Sequence, residues 1–264
     1  MNASLSAEPM SQPRVSILGV GVSAVTMTQA VEAIDAWIAQ RRQHYVCVTG
    51  VHGLMESRRD SLLRQVYRGA GLVTADGMPL VWLSRRRGFR HAERVYGPDL
   101  MLRVCGQSLA KGYRHYFYGA TPAVTAELER RLCQRFPGLN VVGACSPPFR
   151  PLTAQEDGQI VEEINATAPD VVWVGLSTPK QEHWMAAHIG QISAPALIGV
   201  GAAFDFHAGT KRQAPCWMQR MGLEWLFRLA SEPKRLWRRY LINNPRFIGL
   251  VLSQELGWQR DPVG

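Results

Sequence analysis

The residue best placed for acid–base chemistry is Asp76, which follows the apolar residues 72–75, Leu-Val-Thr-Ala, and precedes Gly77. This stretch reads as a short buried strand, and Pro79 opens the helical pattern after it. In a parallel sheet the ligand crevice lies beyond the carboxyl ends of the strands. A carboxylate at that position is suited to chemistry on a ligand, or it caps the following helix. Both roles are open from this stretch alone.

Two further strand ends carry residues suited to ligand contact. Gly175-Leu-Ser-Thr-Pro-Lys180-Gln181-Glu182 follows an apolar run, with Ser177 and Thr178 as expected helix caps. Small residues follow the run 196–200, which suggests close approach of the backbone to a ligand. Asp205, shortly after this run, is the second candidate carboxylate. The candidate ligand contacts at these ends and beside Asp76 are Gly77, Lys180, Gln181, Gly199, Gly201 and Asp205.

The run Gly19-Val-Gly21-Val-Ser-Ala24 matches the relaxed dinucleotide fingerprint G-x-G-x-x-A. That fingerprint requires an acidic residue at the end of the second strand, which here ends in Val48-Thr49-Gly50. A plain tight turn is therefore the preferred interpretation. An NAD(P)-dependent oxidoreductase that uses this turn is kept as an alternative.

Metal and cofactor chemistry is not expected. His183 and His188 are five residues apart, which is the wrong spacing for two ligands on one helical face, and no Asp-x-Asp pair exists in the sequence. If the ligand carries phosphates, arginines or helix N-termini must neutralise them.

The composition is that of a globular protein with a basic C-terminal region. Of 264 residues 46% are apolar and 19% charged, and 30 Lys and Arg against 21 Asp and Glu give a net charge of +9. Residues 211–246 contain nine basic and two acidic residues, so this segment carries +7 of that charge. The excess indicates an anionic partner: nucleic acid, anionic lipid headgroups or a phosphorylated small molecule.

The same segment has apolar residues at helical spacing between its arginines, among them Trp217, Trp225 and Trp237. A basic amphipathic helix of this kind suits a membrane interface, and a helix packed on the sheet with solvated arginines is the other interpretation. No run of 18 apolar residues exists, residues 1–13 lack a signal-peptide pattern, and the five cysteines show no CxxC spacing. We therefore expect a cytoplasmic protein.

Strand patterns alternate with helical patterns from Val15 to Val200, which predicts parallel βαβ units. The expected fold is α/β, a Rossmann-like parallel sheet with helices on both faces and a C-terminal helical basic appendage. The expected divisions are a disordered N-terminal tail over residues 1–13, a catalytic α/β domain over 14–210 and the amphipathic appendage over 211–264.

Six ordered motifs between residues 15 and 250 together resemble the WecG/TagA/CpsF family of bacterial glycosyltransferases. They are Thr-Ala-Asp76-Gly77-Met-Pro, Glu93-Arg94-Val-Tyr-Gly97-Pro-Asp99-Leu, Tyr118-Gly119-Ala, Gly175-Leu-Ser-Thr-Pro179-Lys180-Gln181-Glu182, Gly199-x-Gly201-Ala-x-Phe204-Asp205, and Glu224-Trp225-x-x-Arg228 with Pro233-x-Arg235. The resemblance implies an inverting, metal-independent enzyme. Such an enzyme moves a sugar from a UDP-sugar to a polyprenyl-diphosphate-linked sugar.

The resemblance also implies residue roles. It makes Asp76 the general base, with Thr49, Arg94 and Gln181 as further catalytic residues. It makes the C-terminal appendage a peripheral membrane anchor that supplies arginines to the pocket, with the candidates Arg228, Arg235 and Arg238. Relatives often carry Asn beside the strand-two Thr, whereas this chain has Thr49-Gly50-Val51-His52.

We therefore expect an inverting, metal-independent glycosyltransferase without a cofactor, peripherally associated with the inner face of the cell membrane. The form Tyr-Gly-Pro-Asp-Leu-Met resembles the exopolysaccharide branch of the family, which favours UDP-glucose as donor, with UDP-N-acetylmannosamine next. Besides the oxidoreductase, a basic nucleic-acid-binding protein that uses the arginine-rich segment is the other alternative.

Overall fold

The computed structural model of this chain describes residues 12–257. The expected N-terminal tail, residues 1–13, lies outside the described residues except for its last two positions. Residues 258–264 of the expected appendage lie outside them as well.

The described chain forms a two-stranded antiparallel ribbon and a six-stranded parallel sheet in the order β4-β3-β8-β7-β5-β6. The expectation of a parallel α/β fold is confirmed. The strands are β1 (Arg14–Ile17), β2 (Val20–Ser23), β3 (His44–Thr49), β4 (Leu72–Ala75), β5 (Arg114–Gly119), β6 (Asn140–Cys145), β7 (Val171–Gly175) and β8 (Ala196–Gly199).

The helices connect successive strands and then continue beyond the sheet. Those of the α/β part are α1 (Met27–Ala39), α2 (Val51–Ser57), α3 (Ser61–Gly69), α4 (Met78–Arg86), α5 (Gly97–Lys111), α6 (Pro122–Arg135), α7 (Ala154–Ala166), α8 (Lys180–His188) and α9 (Ala203–His207). The C-terminal segment contains α10 (Cys216–Arg220), α11 (Glu224–Ser231), α12 (Pro233–Trp237), a π-helical turn (Arg238–Ile242) and α13 (Asn243–Glu255).

Each face of the parallel sheet is covered by its own hydrophobic core. Neighbouring residues of one strand point to opposite faces, so Val172 belongs to one core and Trp173 to the other, as do Tyr116 and Phe117. These side chains are fully buried. A sheet buried on both faces explains why its strands read as continuous apolar runs rather than as alternating patterns.

The glycine-rich motif at Gly19 lies in the antiparallel ribbon and not at a turn of the parallel sheet. Leu18 and Gly19 both have positive φ, 52° and 84°, as in the tight hairpin turns that join antiparallel strands. The residues after this turn continue as β2, and the Ser23 hydroxyl accepts a hydrogen bond from Val73 N of edge strand β4 at 3.0 Å. The oxidoreductase alternative thus lacks the strand–turn–helix unit that its fingerprint requires.

The C-terminal segment lies against the carboxyl end of the sheet. Phe247 and Val251 of α13 are buried in the same core as residues of β3, β4 and β7, so α13 packs on the α/β part. The boundary at residue 210 stays a prediction. Within residues 12–257 there is no helix whose length and apolar character would suffice to cross a bilayer.

Candidate active site

A cavity of about 690 Å³ opens beyond the carboxyl ends of β3, β4, β7 and β8. The residues that follow these strands line one side of it, namely Gly50, Asp76, Ser177, Val200 and Gly201. The C-terminal segment forms the other side through Gln219, Leu223, Glu224, Arg228, Arg239 and Phe247. Because four parallel strands end at this edge, residues far apart in sequence meet around one space.

Asp76 lines this cavity and is partly exposed. Its main-chain N donates to Thr49 O at 2.8 Å, which fixes it beside the end of β3. Its Oδ1 accepts a long hydrogen bond, 3.5 Å, from the main-chain N of Gly97, the first residue of α5. The expectation that Asp76 caps the helix after it is wrong, because α4 has Gly77 as N-cap and no side-chain cap bond among the described residues. The carboxylate instead faces the positive end of α5.

Arg94 ties the loop of Asp76 to the C-terminal segment. Its guanidinium donates to the main-chain O of Asp76, to Gln219 Oε1 at 2.9 Å and to the carboxylate of Glu224. It also lies over the ring of Tyr96, with Cζ 3.9 Å from the centroid. Burial opposes its charge, but Asp76 and Glu224 raise the pKa of Arg94 above its ordinary value. With its donors engaged, Arg94 is suited to hold Asp76 in place rather than to bind a phosphate.

Glu224 is a second carboxylate in the cavity, and sequence reasoning assigned it no role. Its Oε1 accepts a hydrogen bond from the Tyr96 hydroxyl at 3.1 Å, beside the ion pair with Arg94. Burial, together with the charge of Asp76, raises the pKa of Glu224 above its usual range. The residue stood in the motif Glu224-Trp225-x-x-Arg228, but only the fold brings it to Asp76.

Arg228 and Arg239 also line the cavity, and neither forms an ion pair with any residue of the described range 12–257. The Nε of Arg239 is shut off from solvent and has no hydrogen-bond partner in that range. Burial lowers the pKa of Arg239, whereas that of Arg228 is raised, because Tyr240 and Glu224 outweigh its burial. Two cationic side chains that line a cavity without being engaged in an ion pair are suited to bind an anion.

The other two arginines that the sequence singled out lie elsewhere. Arg235 is exposed and pairs with Glu232 at 2.7 Å, and Arg238 is exposed with its guanidinium 5.2 Å from the ring centroid of Trp237. Neither belongs to the cavity lining found in the described chain. The structure thus places Arg239, which was not singled out, where Arg235 and Arg238 were expected.

Gln181 lines the cavity from the first turn of α8 and is only 2% exposed. Its Nε2 donates to Glu182 Oε1 at 3.2 Å, while its Oε1 has no partner in the described structure. A Cβ at Gly199 would lie 3.0 Å from Gln181 Nε2 and 2.7 Å from Met185 Cε, so Gly199 is needed to seat this side chain. A Cβ at Gly201 would lie 3.4 Å from Gln181 Oε1, and Gly201 itself lines the cavity with φ at +52°.

Thr49 is fully buried and does not reach the cavity surface in the described structure. Its hydroxyl is 3.0 Å from the Tyr67 hydroxyl and lies beneath α2, where a Cβ on Gly53 would be only 2.1 Å from Thr49 Oγ1. Thr49 therefore acts on the site through its main-chain O, which holds Asp76, and not through a ligand contact of its hydroxyl.

Of the remaining residues that the sequence predicts as ligand contacts, one lines the cavity and two do not. Gly77 lines the cavity, whereas Lys180 is exposed and Asp205 pairs with Lys211 at 3.4 Å, both outside the lining within residues 12–257. The expected caps of α8 are also wrong: its N-cap is Pro179, with no side-chain cap bond described. The Thr178 hydroxyl donates instead to the buried carboxylate of Glu182 at 2.8 Å.

His52 also lines the cavity, where the charge of Arg239 acts on it. Burial and the neighbouring charges of Arg239, Arg59 and Arg228 lower the pKa of His52 to about 3. The ring is therefore neutral at physiological pH and is available as a hydrogen-bond donor or acceptor to a ligand. Among residues 12–257, no group of three His, Cys, Asp or Glu side chains is arranged to hold a metal ion.

Comparison with known proteins gives a consistent result. A model of the "Glycosyl transferase WecG/TagA/CpsF family" matches residues 15–261. A Bacillus spizizenii protein named N-acetylglucosaminyldiphosphoundecaprenol N-acetyl-beta-D-mannosaminyltransferase is 29% identical over 200 residues, covering 76% of this chain and 75% of its own. A Staphylococcus aureus (strain MW2) protein of the same name is 28% identical over 233 residues, covering 88% of this chain and 90% of its own.

Proposed function

Since the chain belongs to the WecG/TagA/CpsF family of glycosyltransferases, we propose that it transfers a sugar from a UDP-sugar to a polyprenyl-diphosphate-linked sugar. The observation that carries the proposal is the pair Arg228 and Arg239, which line the same cavity as Asp76 and form no ion pair within the described residues 12–257. Both substrates of such a reaction carry a diphosphate, and an arginine pair supplies the donors and the charge that a diphosphate requires.

The reaction requires a base on one side of the anomeric carbon and charge stabilisation on the other. Asp76 removes the proton from the acceptor hydroxyl as the hydroxyl oxygen bonds to the anomeric carbon. The bond between that carbon and the UDP oxygen breaks, and the configuration is inverted. Arg228 and Arg239 stabilise the negative charge that develops on the departing UDP.

Other residues of the cavity hold these groups in position. Arg94 fixes the backbone of Asp76, and Glu224 fixes Arg94 from the C-terminal segment. The unpartnered Oε1 of Gln181 is an acceptor for a hydroxyl or N–H group of the donor. A neutral His52 is a contact for the donor sugar or its phosphate.

The names of the two relatives favour N-acetylmannosamine as the transferred sugar and an N-acetylglucosaminyl-diphosphate lipid as the acceptor. UDP-glucose and a glucosyl-diphosphate lipid of exopolysaccharide synthesis are the second pair, favoured by the form Tyr96-Gly97-Pro98-Asp99-Leu100-Met101. We put UDP-N-acetylmannosamine first because both relatives are named for the transfer of that sugar.

We further propose that the C-terminal segment rests on the inner face of the cell membrane. Trp217, Trp237 and Leu241 are 59%, 44% and 55% exposed, next to exposed arginines. Exposed Trp and Leu beside Arg are typical of helices that lie in the bilayer interface. Such an orientation would bring the cavity to a lipid-linked acceptor whose chain stays in the bilayer.

The test is an incubation of the full chain with each UDP-sugar and with farnesyl-diphosphate-linked N-acetylglucosamine or glucose, followed by mass and anomeric analysis of the product. We expect one UDP-sugar to yield a disaccharide product with inverted configuration and free UDP. No transfer from any UDP-sugar, combined with tight binding of NAD(P) or salt-sensitive binding of nucleic acid, would overturn the proposal in favour of one of the two alternatives.

A further inference from the structure

An apolar groove leaves the cavity between α4 and α13. Met78 and Trp82 of α4 line one wall, and Ile248 and Leu252 of α13 line the other. In each helix the two residues are four positions apart, so both lie on the same helical face. The groove runs along α4 from the turn after Asp76 to Arg86, a distance of about 12 Å at the rise of an α-helix.

Contacts within the chain fix the two walls of this groove. Gly222, in the link between α10 and α11, packs so closely on α4 that a Cβ there would lie 2.8 Å from Trp82 Cη2. At the far end, Arg87 beside the C-terminus of α4 donates to Glu255 of α13 at 2.7 Å and to Gln254 at 3.0 Å. The groove is thus part of the folded structure and not a gap between two independent helices.

The apolar side chains that line the groove are exposed to solvent, and the groove belongs to the same cavity as Asp76. Trp82, Ile248 and Leu252 are 48%, 58% and 57% exposed, and Met221, which lines the same cavity, is 59% exposed. Contiguous exposed apolar side chains mark a binding surface more often than scattered ones do. Arg228 and Arg239 line the same cavity. The cavity therefore combines an arginine pair that forms no ion pair with an apolar groove, whose end is marked by Arg86, an arginine already paired with Glu255 at 3.3 Å.

We propose that this groove binds the first isoprenoid units of the acceptor, so that the enzyme recognises the lipid chain as well as the sugar. The inference rests on the proposed function, because it assumes a lipid-linked diphosphate acceptor. A ligand with a diphosphate next to an apolar chain matches a cavity that offers both an arginine pair and an apolar groove. Chain contact in the groove would also direct the acceptor sugar toward Asp76.

The experiment compares two soluble acceptors with the same sugar and diphosphate, one carrying a farnesyl chain and one a butyl group, in the absence of membranes and detergent. The test protein is Ile248→Asn combined with Leu252→Asn. The control is Leu256→Asn, at a residue that is 59% exposed on the same side of the chain but outside the groove lining within the described residues. Because all three side chains are exposed, none of these changes removes a core contact.

We expect wild type and the Leu256→Asn protein to use the farnesyl acceptor with a kcat/KM at least tenfold above that of the butyl acceptor. The double variant should lose most of this preference through a higher KM for the farnesyl acceptor, with the butyl reaction and the KM for the UDP-sugar unchanged. An unchanged preference for the farnesyl acceptor in the double variant, or an equal loss of that preference in the Leu256→Asn control, would overturn the proposal that the groove binds the isoprenoid chain. Absence of transfer to both acceptors by the wild type would instead overturn the proposed function.

Discussion

Replacing Arg239 by Met is expected to weaken binding of UDP and at the same time to stabilise the folded protein. Met keeps the apolar stem of the side chain and removes its charge. The Nε of Arg239 is buried without a partner in the described structure, and burial lowers the pKa of the group, so the folded state pays for this cation before any ligand binds. Replacement of a buried ion pair by apolar residues of similar volume is often neutral or stabilising by about 1–4 kcal/mol, and for removal of this single buried charge we expect a stabilisation of about 1–2 kcal/mol.

The effect on binding has the opposite sign. Loss of one charge-assisted contact to a diphosphate costs about 2–3 kcal/mol, which corresponds to a Kd for UDP that is roughly 30- to 150-fold higher. Titration calorimetry measures the Kd, and urea unfolding of the unliganded protein measures the stability. The matched control is Arg238→Met, at the adjacent exposed residue outside the cavity lining of residues 12–257, where both quantities should change by less than about 0.5 kcal/mol.

The two measurements together separate a ligand-binding arginine from a structural one. A structural role would make Arg239→Met less stable and leave the Kd for UDP unchanged. That result would refute the assignment of Arg239 to the diphosphate. An equal loss of UDP affinity in Arg238→Met would refute it as well, because the loss would then follow net charge and not position.

Two further predictions concern Glu224 and His115. Glu224→Gln removes the charge that holds Arg94, so we expect kcat in initial-rate assays to fall about tenfold with little change in the KM for the UDP-sugar. The control is Glu232→Gln, at a residue outside the cavity lining of the described chain, which should leave kcat and KM unchanged. His115 is buried with its pKa lowered to about 4, so only the unfolded state takes up a proton between pH ~6.5 and ~4. Stability should fall by about 3 kcal/mol as the pH drops through this window, and urea unfolding of His115→Gln should show a shallower fall.

The alternation of strands and helices predicted the parallel sheet because each strand of a sheet buried on both faces is a short apolar run. Residues at strand ends could be predicted from the same pattern, and Asp76 and Gln181 do line the cavity. The tight turn at Gly19, the interpretation preferred from the sequence, is confirmed, but the strand β2 after it was not predicted, because the residues after the turn were expected to lead into a helix. The strand order and the approach of α13 to the sheet depend on contacts between distant residues and left no local signal.

Which arginines line the cavity could not be predicted from the sequence. Helical spacing alone does not distinguish Arg238 from Arg239, and the π-helical turn Arg238–Ile242 alters that spacing between α12 and α13. Arg239 consequently faces the cavity while Arg238 is exposed. In the same way, Thr49 could be placed at the end of β3, but the small size of Gly53, which lets the Thr49 hydroxyl turn beneath α2, could be recognised only in the fold.

The central claim is that Asp76 removes the proton from the acceptor hydroxyl. The most direct measurement is single-turnover transfer by Asp76→Asn at saturating UDP-sugar and acceptor, with the Kd for UDP determined on the same preparation. Asn keeps the shape of the side chain but is not a base at neutral pH, so we predict a rate at least ~100-fold below that of the wild type, in line with the loss of a general base, with the Kd for UDP within about threefold. A transfer rate equal to that of the wild type, with UDP bound normally, would contradict the mechanism.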